Sequence, residues 1–269
     1  MRLKSFLTVG FVAATLGGSA RAADLPQRES APPASAPAPA PFTWTGAYFG
    51  LDAGYSWASA TGSYGISSTT LSGLPPIIPT VDASGSQPLG LRGSLVGAEL
   101  GYNWQATDLF VVGVEGDADW SGLSGSMTNG GAIPIVGGVY SIAQELKTDW
   151  YGSLRGRVGF TPFDRVMIFA TGGGALTRIN YTSAFTDTFD ENETVSIKAV
   201  KTGWVLGAGV ECALTPNLST KVEYLRSQFS ASSGTGTGIL TDGTIATVAH
   251  STGALGINTV RVGLNYQFH

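Results

Sequence analysis

The segment 201–226, KTGWVLGAGVECALTPNLSTKVEYLR, constrains the fold most, because large apolar residues recur at every second position in it. Side chains of a strand point alternately to opposite faces, so a period of two predicts a strand with one apolar face. Trp204 and Leu206 belong to that face, and a Thr-Pro-Asn sequence at 215–217 then interrupts the alternation as a tight turn does. The segment therefore predicts a β-hairpin with a very short turn.

The composition indicates a folded β protein and excludes several functions. The chain has 269 residues, which suits one large all-β domain or two small ones. Charged residues are scarce (13%), but 43% of the residues are hydrophobic, so the chain is not of the disordered class. A single cysteine, Cys212, excludes an internal disulfide, and its place on the apolar face predicts a packing role. The net charge of −4 and the absence of basic runs argue against binding to nucleic acid.

The first 43 residues predict export. Residues 1–22 have two early basic residues, an apolar run and an Ala-Arg-Ala cleavage site, which together indicate a secretory signal peptide. The alternative is a membrane anchor, but a run of about eleven apolar residues is too short for a spanning helix, which needs about 20. Residues 23–43 are rich in proline and alanine and are expected to form an extended spacer on the periplasmic side.

The two-residue alternation recurs in eight segments, which predicts eight antiparallel strands between residues 44 and 269. The segments cover about 44–60, 92–104, 108–122, 147–160, 165–181, the two arms of the 201–226 hairpin, and 254–268. Three connections are short (105–107, 161–164 and 215–217), and four are long and polar (about 61–91, 123–146, 182–200 and 230–253). Short turns at one end and long loops at the other are typical of outer-membrane barrels, and an even strand number places both chain ends on the periplasmic side.

Alternation alone also fits a soluble barrel of the lipocalin type, in which the apolar face points inward. The tryptophans favour the membrane, because all six fall near strand ends and five share the parity of their strand's apolar face. Ten residues separate Phe110 from Trp120. Ten residues of a tilted strand rise about 23 Å, close to the roughly 25 Å apolar band of such barrels. The predicted interfacial aromatic residues are Trp44, Trp57, Trp104, Trp120, Trp150, Trp204, Tyr266 and Phe268.

The side chains on the opposite face of each strand are expected to point into the lumen, and they include charges of both signs in similar number. An eight-stranded barrel has an interior only just filled by side chains, so these charges must pair with one another. The sequence thus predicts a cross-linked polar plug and not an open channel. A catalytic carboxylate pair of Glu211 and Glu223 is the disfavoured alternative. The predicted lumen charges are Asp52, Glu99, Glu115, Arg155, Arg157, Lys201, Glu211, Lys221, Glu223 and Arg261.

Several stretches resemble the porin-like outer-membrane β-barrel proteins of alphaproteobacteria, which have an eight-stranded barrel of the OmpA type. They are the 201–226 hairpin, SLRGRVG at 153–159, ATGGG at 170–174 and NTVRVGLNY at 258–266. The resemblance implies an all-β, eight-stranded antiparallel up-and-down transmembrane β-barrel in the outer membrane, in contact with lipid and lipopolysaccharide. It also implies that the barrel-assembly machinery recognises the C-terminal strand. Family members usually end on the aromatic residue, whereas this chain adds His269 after Phe268.

The sequence lacks the usual patterns of catalytic and cofactor sites. No His/Cys/Asp/Glu group has metal-ligand spacing, and no nucleophile elbow or phosphate loop is present. We therefore expect no enzyme activity, no cofactor and no metal. The favoured hypothesis is a structural barrel that displays four long surface loops and contributes to envelope integrity and surface interaction. A narrow diffusion porin is the alternative, and haem capture is a weaker one because His250 is the only loop histidine.

Overall fold

The computed structural model describes residues 42–67, 77–135, 137–190, 192–239 and 245–269. The predicted signal peptide (1–22) and nearly all of the spacer (23–43) lie outside the described residues. The elements, in chain order, are β1 (Gly46–Ser67), α1 (Ile77–Gly85), β2 (Pro88–Gln105), β3 (Phe110–Ser121), β4 (Ser124–Ala132), β5 (Val139–Phe163), β6 (Val166–Asp187), β7 (Asn192–Ala213), β8 (Leu218–Phe229), β9 (Ser232–Ile239), β10 (Ile245–Thr252) and β11 (Leu255–Phe268).

All strand pairs are antiparallel and close into a ring. Strands at adjacent positions of the ring are hydrogen-bonded to each other, and β1 pairs with both β2 and β11, so the wall has no free edge at its base. The eleven strands reduce to eight positions around the ring, because three positions are each occupied by two consecutive strands: β3 with β4, β8 with β9, and β10 with β11. The predicted eight-stranded up-and-down barrel is thereby confirmed.

The two ends of the barrel differ, and we name them the turn end and the hairpin end. The turn end carries the short connections, such as the one between Ala213 and Leu218, where the Leu214 amide donates to the Leu218 carbonyl over 2.8 Å. The first and last barrel strands also meet there, since Ala47 is paired with Phe268. The hairpin end carries the outer arms of β1, β4–β7, β9 and β10.

The hairpin end corrects one prediction from the sequence. The stretches assigned to long loops are largely strands: β6 and β7 stay paired to Thr186 and Asn192, so the predicted loop 182–200 is mostly a hairpin. Likewise, β4 and β5 fill most of 123–146, and β9 and β10 fill most of the described part of 230–253. Sequence alternation is hard to detect there, because Gly, Ser and Thr occupy many of the positions.

Helix α1 covers part of the hairpin end. Its buried residues Ile77 and Val81 pack against Tyr64, Tyr140 and neighbouring apolar side chains of the wall. Polar contacts fix its position, since the Tyr140 hydroxyl lies 2.7 Å from Ser84 Oγ. The part of the chain that the structure describes includes no helix of the length and hydrophobicity needed to cross a membrane.

The outer wall is apolar between two groups of aromatic side chains. At the turn end these are Trp104, Phe110, Phe160, Tyr266 and Phe268, and toward the hairpin end they are Tyr55, Trp57, Trp120, Trp204 and Tyr224, each 40–60% exposed. Aliphatic side chains such as Leu51, Leu100 and Leu154, which are 61–71% exposed, fill the band between them. An apolar band bordered by aromatic residues is the surface of a membrane-spanning barrel.

Two of the predicted interfacial aromatic residues differ from the others. Trp44 is 1% exposed and closes the turn end from within, where it packs edge-to-face on Phe42 and joins Val111 and Met167. The prediction was wrong because Trp44 precedes β1 and has the inward parity of Tyr48. Trp150 is half-buried beside an irregularity in the β5–β6 ladder, directly opposite Trp120.

Candidate functional site

A cluster of charged side chains fills the interior between the aromatic groups, and strand alternation places it there. On β3, Glu115, Asp117 and Asp119 occupy successive inward positions, and on β5 Arg155 and Arg157 do the same. Pairing puts Glu115 directly opposite Arg155, so opposite charges face each other on adjacent strands. The ion-paired side chains of the cluster are at most 4% exposed.

Arg155 joins three carboxylates from two sides of the barrel. Its guanidinium contacts Glu115 and lies 3.0 Å from Asp117 Oδ2 on β3. The other terminal nitrogen donates to Glu223 Oε2 of β8 over 2.9 Å. The guanidinium therefore crosses the lumen and links strands that are not neighbours in the wall.

Lys221 is held by three carboxylates. Its Nζ lies 2.5 Å from Glu99 Oε2, 3.1 Å from Glu115 Oε2 and 3.2 Å from Glu223 Oε1. These three glutamates are close enough together to hold a metal ion, and among the described residues they form the one such group. The ammonium group already lies among their oxygens, so the chain supplies its own cation at this position.

Arg261 and Arg157 complete the network at two levels. Arg261 Nε donates to Glu223 Oε1 over 2.6 Å, and its Nη1 lies 3.5 Å from both Asp52 Oδ1 and Asp119 Oδ2. Arg157, nearer the turn end, donates to Glu211 Oε2 over 2.7 Å. The Arg157 guanidinium also lies over the Phe169 ring, 4.2 Å from its centroid.

Nine of the ten predicted lumen charges lie in this cluster. Lys201 is the exception: it has the inward parity but lies toward the hairpin end, where its Nζ donates to the Ala231 carbonyl over 2.9 Å. Asp117 and Asp119 were missed, although they share the parity of Glu115 on the same strand. The prediction that both signs are present in similar number was wrong, because the cluster contains seven carboxylates and four cations: Asp52, Glu99, Glu115, Asp117, Asp119, Glu211 and Glu223 against Arg155, Arg157, Lys221 and Arg261.

The excess of carboxylates leaves some oxygens without a hydrogen-bond partner in the described part of the chain. They include Asp52 Oδ2, Glu99 Oε1 and Asp119 Oδ1. A cavity of about 10 Å³ borders Asp119, Ser121 and Tyr151, and it has room for about one water molecule. Chemically, the arrangement cross-links the wall and leaves little free space within the cluster.

The interior toward the hairpin end has a different composition. Leu91, Leu146, Tyr181, Val205 and Phe229 are at most 2% exposed and belong to one apolar cluster above the charges. A second apolar cluster beneath α1 continues it toward the hairpin tips. This part of the barrel therefore has an apolar core, as a soluble protein does.

His250 lies inside this upper core and not in a loop, which corrects the sequence prediction. It is 2% exposed on β10, and its Nε2 lies 3.5 Å from Glu193 Oε1. The Tyr64 hydroxyl donates to the other Glu193 oxygen over 3.4 Å, and burial raises the pKa of Tyr64 above its ordinary value. His250 is thus enclosed among Tyr64, Tyr181 and Glu193.

Comparison with known proteins identifies the family. The sequence matches the family described as "Outer membrane protein beta-barrel domain" over residues 30–268. The chain belongs to this family. It is 34% identical over 259 residues to the "31 kDa outer-membrane immunogenic protein" of Brucella melitensis, which covers 96% of this chain and 97% of that protein. It is also 36% identical over 126 residues to the "22 kDa outer membrane protein" of Rhizobium leguminosarum bv. viciae, which covers 46% and 47%.

Two solved structures have a detectable likeness to this chain. Ail, the attachment invasion locus protein of Yersinia pestis, is 14% identical, with 81% of this chain and 98% of that chain covered and a TM-score of 0.34. Neisserial surface protein A is 14% identical, with 83% and 98% covered and a TM-score of 0.36. Similarities of this size carry no argument about this chain. The family membership confirms an outer-membrane β-barrel protein related to those of alphaproteobacteria.

Proposed function

We propose that this outer-membrane barrel is a plugged anchor, which displays its hairpin end at the cell surface and contributes to envelope integrity and surface interaction. The observation that carries the proposal is the buried charge network, in which each of the four cations has at least one carboxylate within 3.0 Å. Removing one member of a buried ion pair costs about 3–5 kcal/mol, so the network opposes opening of the lumen. The apolar core above it would be a second barrier to ions.

A narrow porin for small solutes is the second candidate, and the polar lining of the lumen favours it. Conductance of single proteins in a planar bilayer separates the two functions. We expect the wild type to show no steady conductance. Glu211→Ala should conduct ions more readily or unfold at a lower temperature, because Arg157 loses its closest carboxylate.

Val210→Ala is the matched control, since Val210 is adjacent in sequence but points outward and is 42% exposed. It should leave conductance unchanged. A large, steady wild-type conductance that Glu211→Ala does not alter would reject the plug and favour the porin.

The proposed orientation places both chain ends and the turn end in the periplasm. It is supported by the meeting of β1 and β11 at the turn end, and by the long hairpins that extend from the hairpin end, such as β6–β7 and β9–β10. An epitope inserted after Pro134, at the β4–β5 tip, should bind antibody on intact cells. The same epitope after Pro216, in the β7–β8 turn, should bind only after permeabilisation, and the reverse result would invert the orientation.

Haem capture fits the described residues poorly. Haem iron usually takes a His, Met, Cys or Tyr ligand, but His250 is buried against Glu193. His269 is exposed, and its Nε2 lies 3.0 Å from the Pro216 carbonyl.

Recognition by the assembly machinery would use β11, whose final aromatic residue Phe268 is 55% exposed on the outer wall. Assembly would then tolerate the additional residue after Phe268.

A further inference from the structure

Four buried side chains with metal-binding groups lie together inside the upper core, and we call them the phenol cluster: Tyr64, Tyr181, Glu193 and His250. They come from β1, β6, β7 and β10, and each is at most 7% exposed. Because they are far apart in the chain, no spacing in the sequence predicted a metal site here. The cluster is also remote from the lumen charges, since Tyr64 is twelve residues beyond Asp52 on β1.

The contacts within the phenol cluster are longer than ordinary hydrogen bonds. The Tyr64 hydroxyl lies 3.4 Å from Glu193 Oε2, and His250 Nε2 lies 3.5 Å from Glu193 Oε1. Hydrogen bonds between such groups usually span about 2.5–3.2 Å. Two ligands that share one cation at about 2.1 Å lie roughly 3.0–3.4 Å apart, depending on the coordination angle. The spacing of these donors is therefore close to that of ligands around one ion.

The phenol cluster also contains polar groups that nothing in the described ranges satisfies. The hydroxyls of Tyr181 and Ser183 have no partner at bonding distance, and neither does His250 Nδ1. Among the ion pairs of the described residues, Glu193 has no cation other than His250. Buried carboxylates and hydroxyls with poor partners are costly, because they have lost their contacts with water. A bound ion would satisfy the carboxylate and both phenols.

The donor set indicates a hard cation of high charge. Hard cations prefer oxygen donors, and imidazole is a common ligand of iron. One carboxylate and two phenolates carry three negative charges, which a trivalent ion neutralises within the apolar core. The lumen glutamates around Lys221 differ: they are the one described group of three Asp, Glu, His or Cys side chains within reach of one ion, and an ammonium group lies among them. The phenol cluster has two such side chains and adds two tyrosines.

An open cleft borders the phenol cluster and offers a route of entry. Its volume is about 370 Å³, and it is lined by Tyr64, His250 and small residues of β1, β9 and β10. Beside it, no ladder in the described ranges joins β9 to the outer arm of β7, so the wall is not continuously hydrogen-bonded there. The cluster itself is buried, so it suits a bare ion and not a haem group.

We propose that the phenol cluster binds one ferric ion. The two tyrosine hydroxyls release their protons to solvent and become phenolate ligands, as metal ligands must be deprotonated. The Glu193 carboxylate is the third anionic donor, and the neutral His250 ring supplies a nitrogen. No electron is transferred, so the ion stays ferric. Binding would tie β1, β6, β7 and β10 at one point and hold the β9–β10 hairpin against β7.

The test uses the refolded protein in detergent micelles, with ferric citrate as the source of iron. After gel filtration we expect one iron per chain and a visible phenolate-to-iron charge-transfer band, which ferric citrate lacks. Loss of a group that only supports a metal ligand costs about 10–100-fold in metal affinity, so Tyr64→Phe and Tyr181→Phe should each bind iron at least about tenfold more weakly. Each variant keeps its ring and loses only the hydroxyl, so the band should weaken with the affinity.

Tyr140→Phe is the matched control. Tyr140 is a buried tyrosine of the same upper core, but its hydroxyl contacts Ser84 of α1 and not the phenol cluster. This variant should bind iron as the wild type does and keep the band. Electrophoresis without boiling shows that each variant is folded before its iron is measured.

Iron retained without the band would be adventitious and would overturn the site. A band that Tyr140→Phe reduces as much as Tyr64→Phe would overturn it too. Zinc chloride is the second probe, and tighter retention of zinc than of iron would overturn the ferric assignment. The assay measures neither conductance nor surface exposure, so its failure leaves the plugged anchor to be judged by the bilayer and epitope experiments.

Discussion

The barrel has a lower half, between the two aromatic groups, and an upper half, toward the hairpin end. The polarity of the inner and outer faces is reversed between the two halves. Between the aromatic groups the wall is apolar outside and charged inside, as Leu154 (71% exposed) and its neighbour Arg155 (1% exposed) illustrate. Toward the hairpin end the same strands have apolar residues inside, such as Leu146 and Tyr181. Lys147 and Asn180 are their outward neighbours. The inversion occurs within single strands, and on β5 it coincides with the irregularity of the β5–β6 ladder between Thr148 and Tyr151.

The difference shows that the surroundings of each half determine its outer face, and that packing determines the inner face. Lipid accepts only apolar side chains, so the residues on the outer face of the lower half are restricted to apolar types. Its polar residues are confined to the interior, where each needs partners. Once the strands leave the apolar band, the outer face becomes polar and the core can be built from apolar side chains.

The largest expected effect is on the charged half. Glu223→Ala would remove a carboxylate that pairs with Arg155, Lys221 and Arg261. Removing a buried ionic partner costs about 3–5 kcal/mol, so we expect a loss of about 4 kcal/mol in the free energy of unfolding. Urea unfolding in lipid vesicles, followed by tryptophan fluorescence, measures it. Glu223→Gln should lose less, and a loss below about 1 kcal/mol for the alanine variant would contradict a tightly coupled network.

The apolar half should respond to lost volume and not to lost charge. Leu146 is 1% exposed, and Leu146→Ala should reduce the free energy of unfolding by about 3 kcal/mol, because it leaves a cavity in a packed core. Its control is Leu206→Ala, at a position 58% exposed on the outer wall. If both leucine variants lost equal stability in the vesicle assay, the upper interior would not be a packed core.

A pH effect is expected at helix α1 of the hairpin end. Asp82 of α1 accepts a hydrogen bond from the Ile66 amide over 2.9 Å, and burial raises the pKa of its carboxyl above the ordinary value. The folded state therefore holds the proton more tightly than the unfolded state, so the docking of α1 should weaken as the pH rises through and above the ordinary range of aspartate. Hydrogen-exchange protection factors of α1 amides should be higher at pH 4 than at pH 7.

Asp82→Asn is the control for this titration. It retains a side-chain oxygen that can accept from the Ile66 amide but cannot ionise. The protection of α1 should then no longer depend on pH over this range. Protection that rises with pH in the wild type would reverse the sign argued for Asp82.

The smallest effect is expected on the lipid-facing wall. Val210→Ala removes two methyl groups that face lipid in the folded barrel and pack against no core. Surface changes of this kind usually alter stability by less than about 0.5 kcal/mol. The same vesicle assay should place Val210→Ala within that range of wild type, and a loss comparable to that of Leu146→Ala would show that Val210 packs against protein.

The sequence predicted the lower half well because lipid leaves few alternatives. Alternation in 201–226 predicted both the β7–β8 hairpin and its turn, and the parity of Glu211, Lys221 and Glu223 placed them in the interior. The upper half was mistaken for loops, since its strands lack an apolar outer face. The sequence did contain a signal that the strand β7 continues into the upper half. Val195 and Ile197 alternate in step with Val205, which points inward, and out of step with Trp204, which points outward. Which carboxylate each cation contacts depends on distant strands, and a single sequence does not encode it visibly.

The closing seam between β1 and β11 has a consequence for the order of assembly. Turns such as Phe163–Val166 join residues that are near neighbours in the chain, so their ladders form at small entropic cost. The seam instead joins the two ends of the barrel sequence, and Arg261 meets Asp52 across 209 residues. Pairing at this sequence separation is intrinsically slow. Arg261 is also the cation that β11 brings to the interior carboxylates, so pairing of β1 with β11 both closes the wall and offsets part of the excess negative charge that the wall encloses.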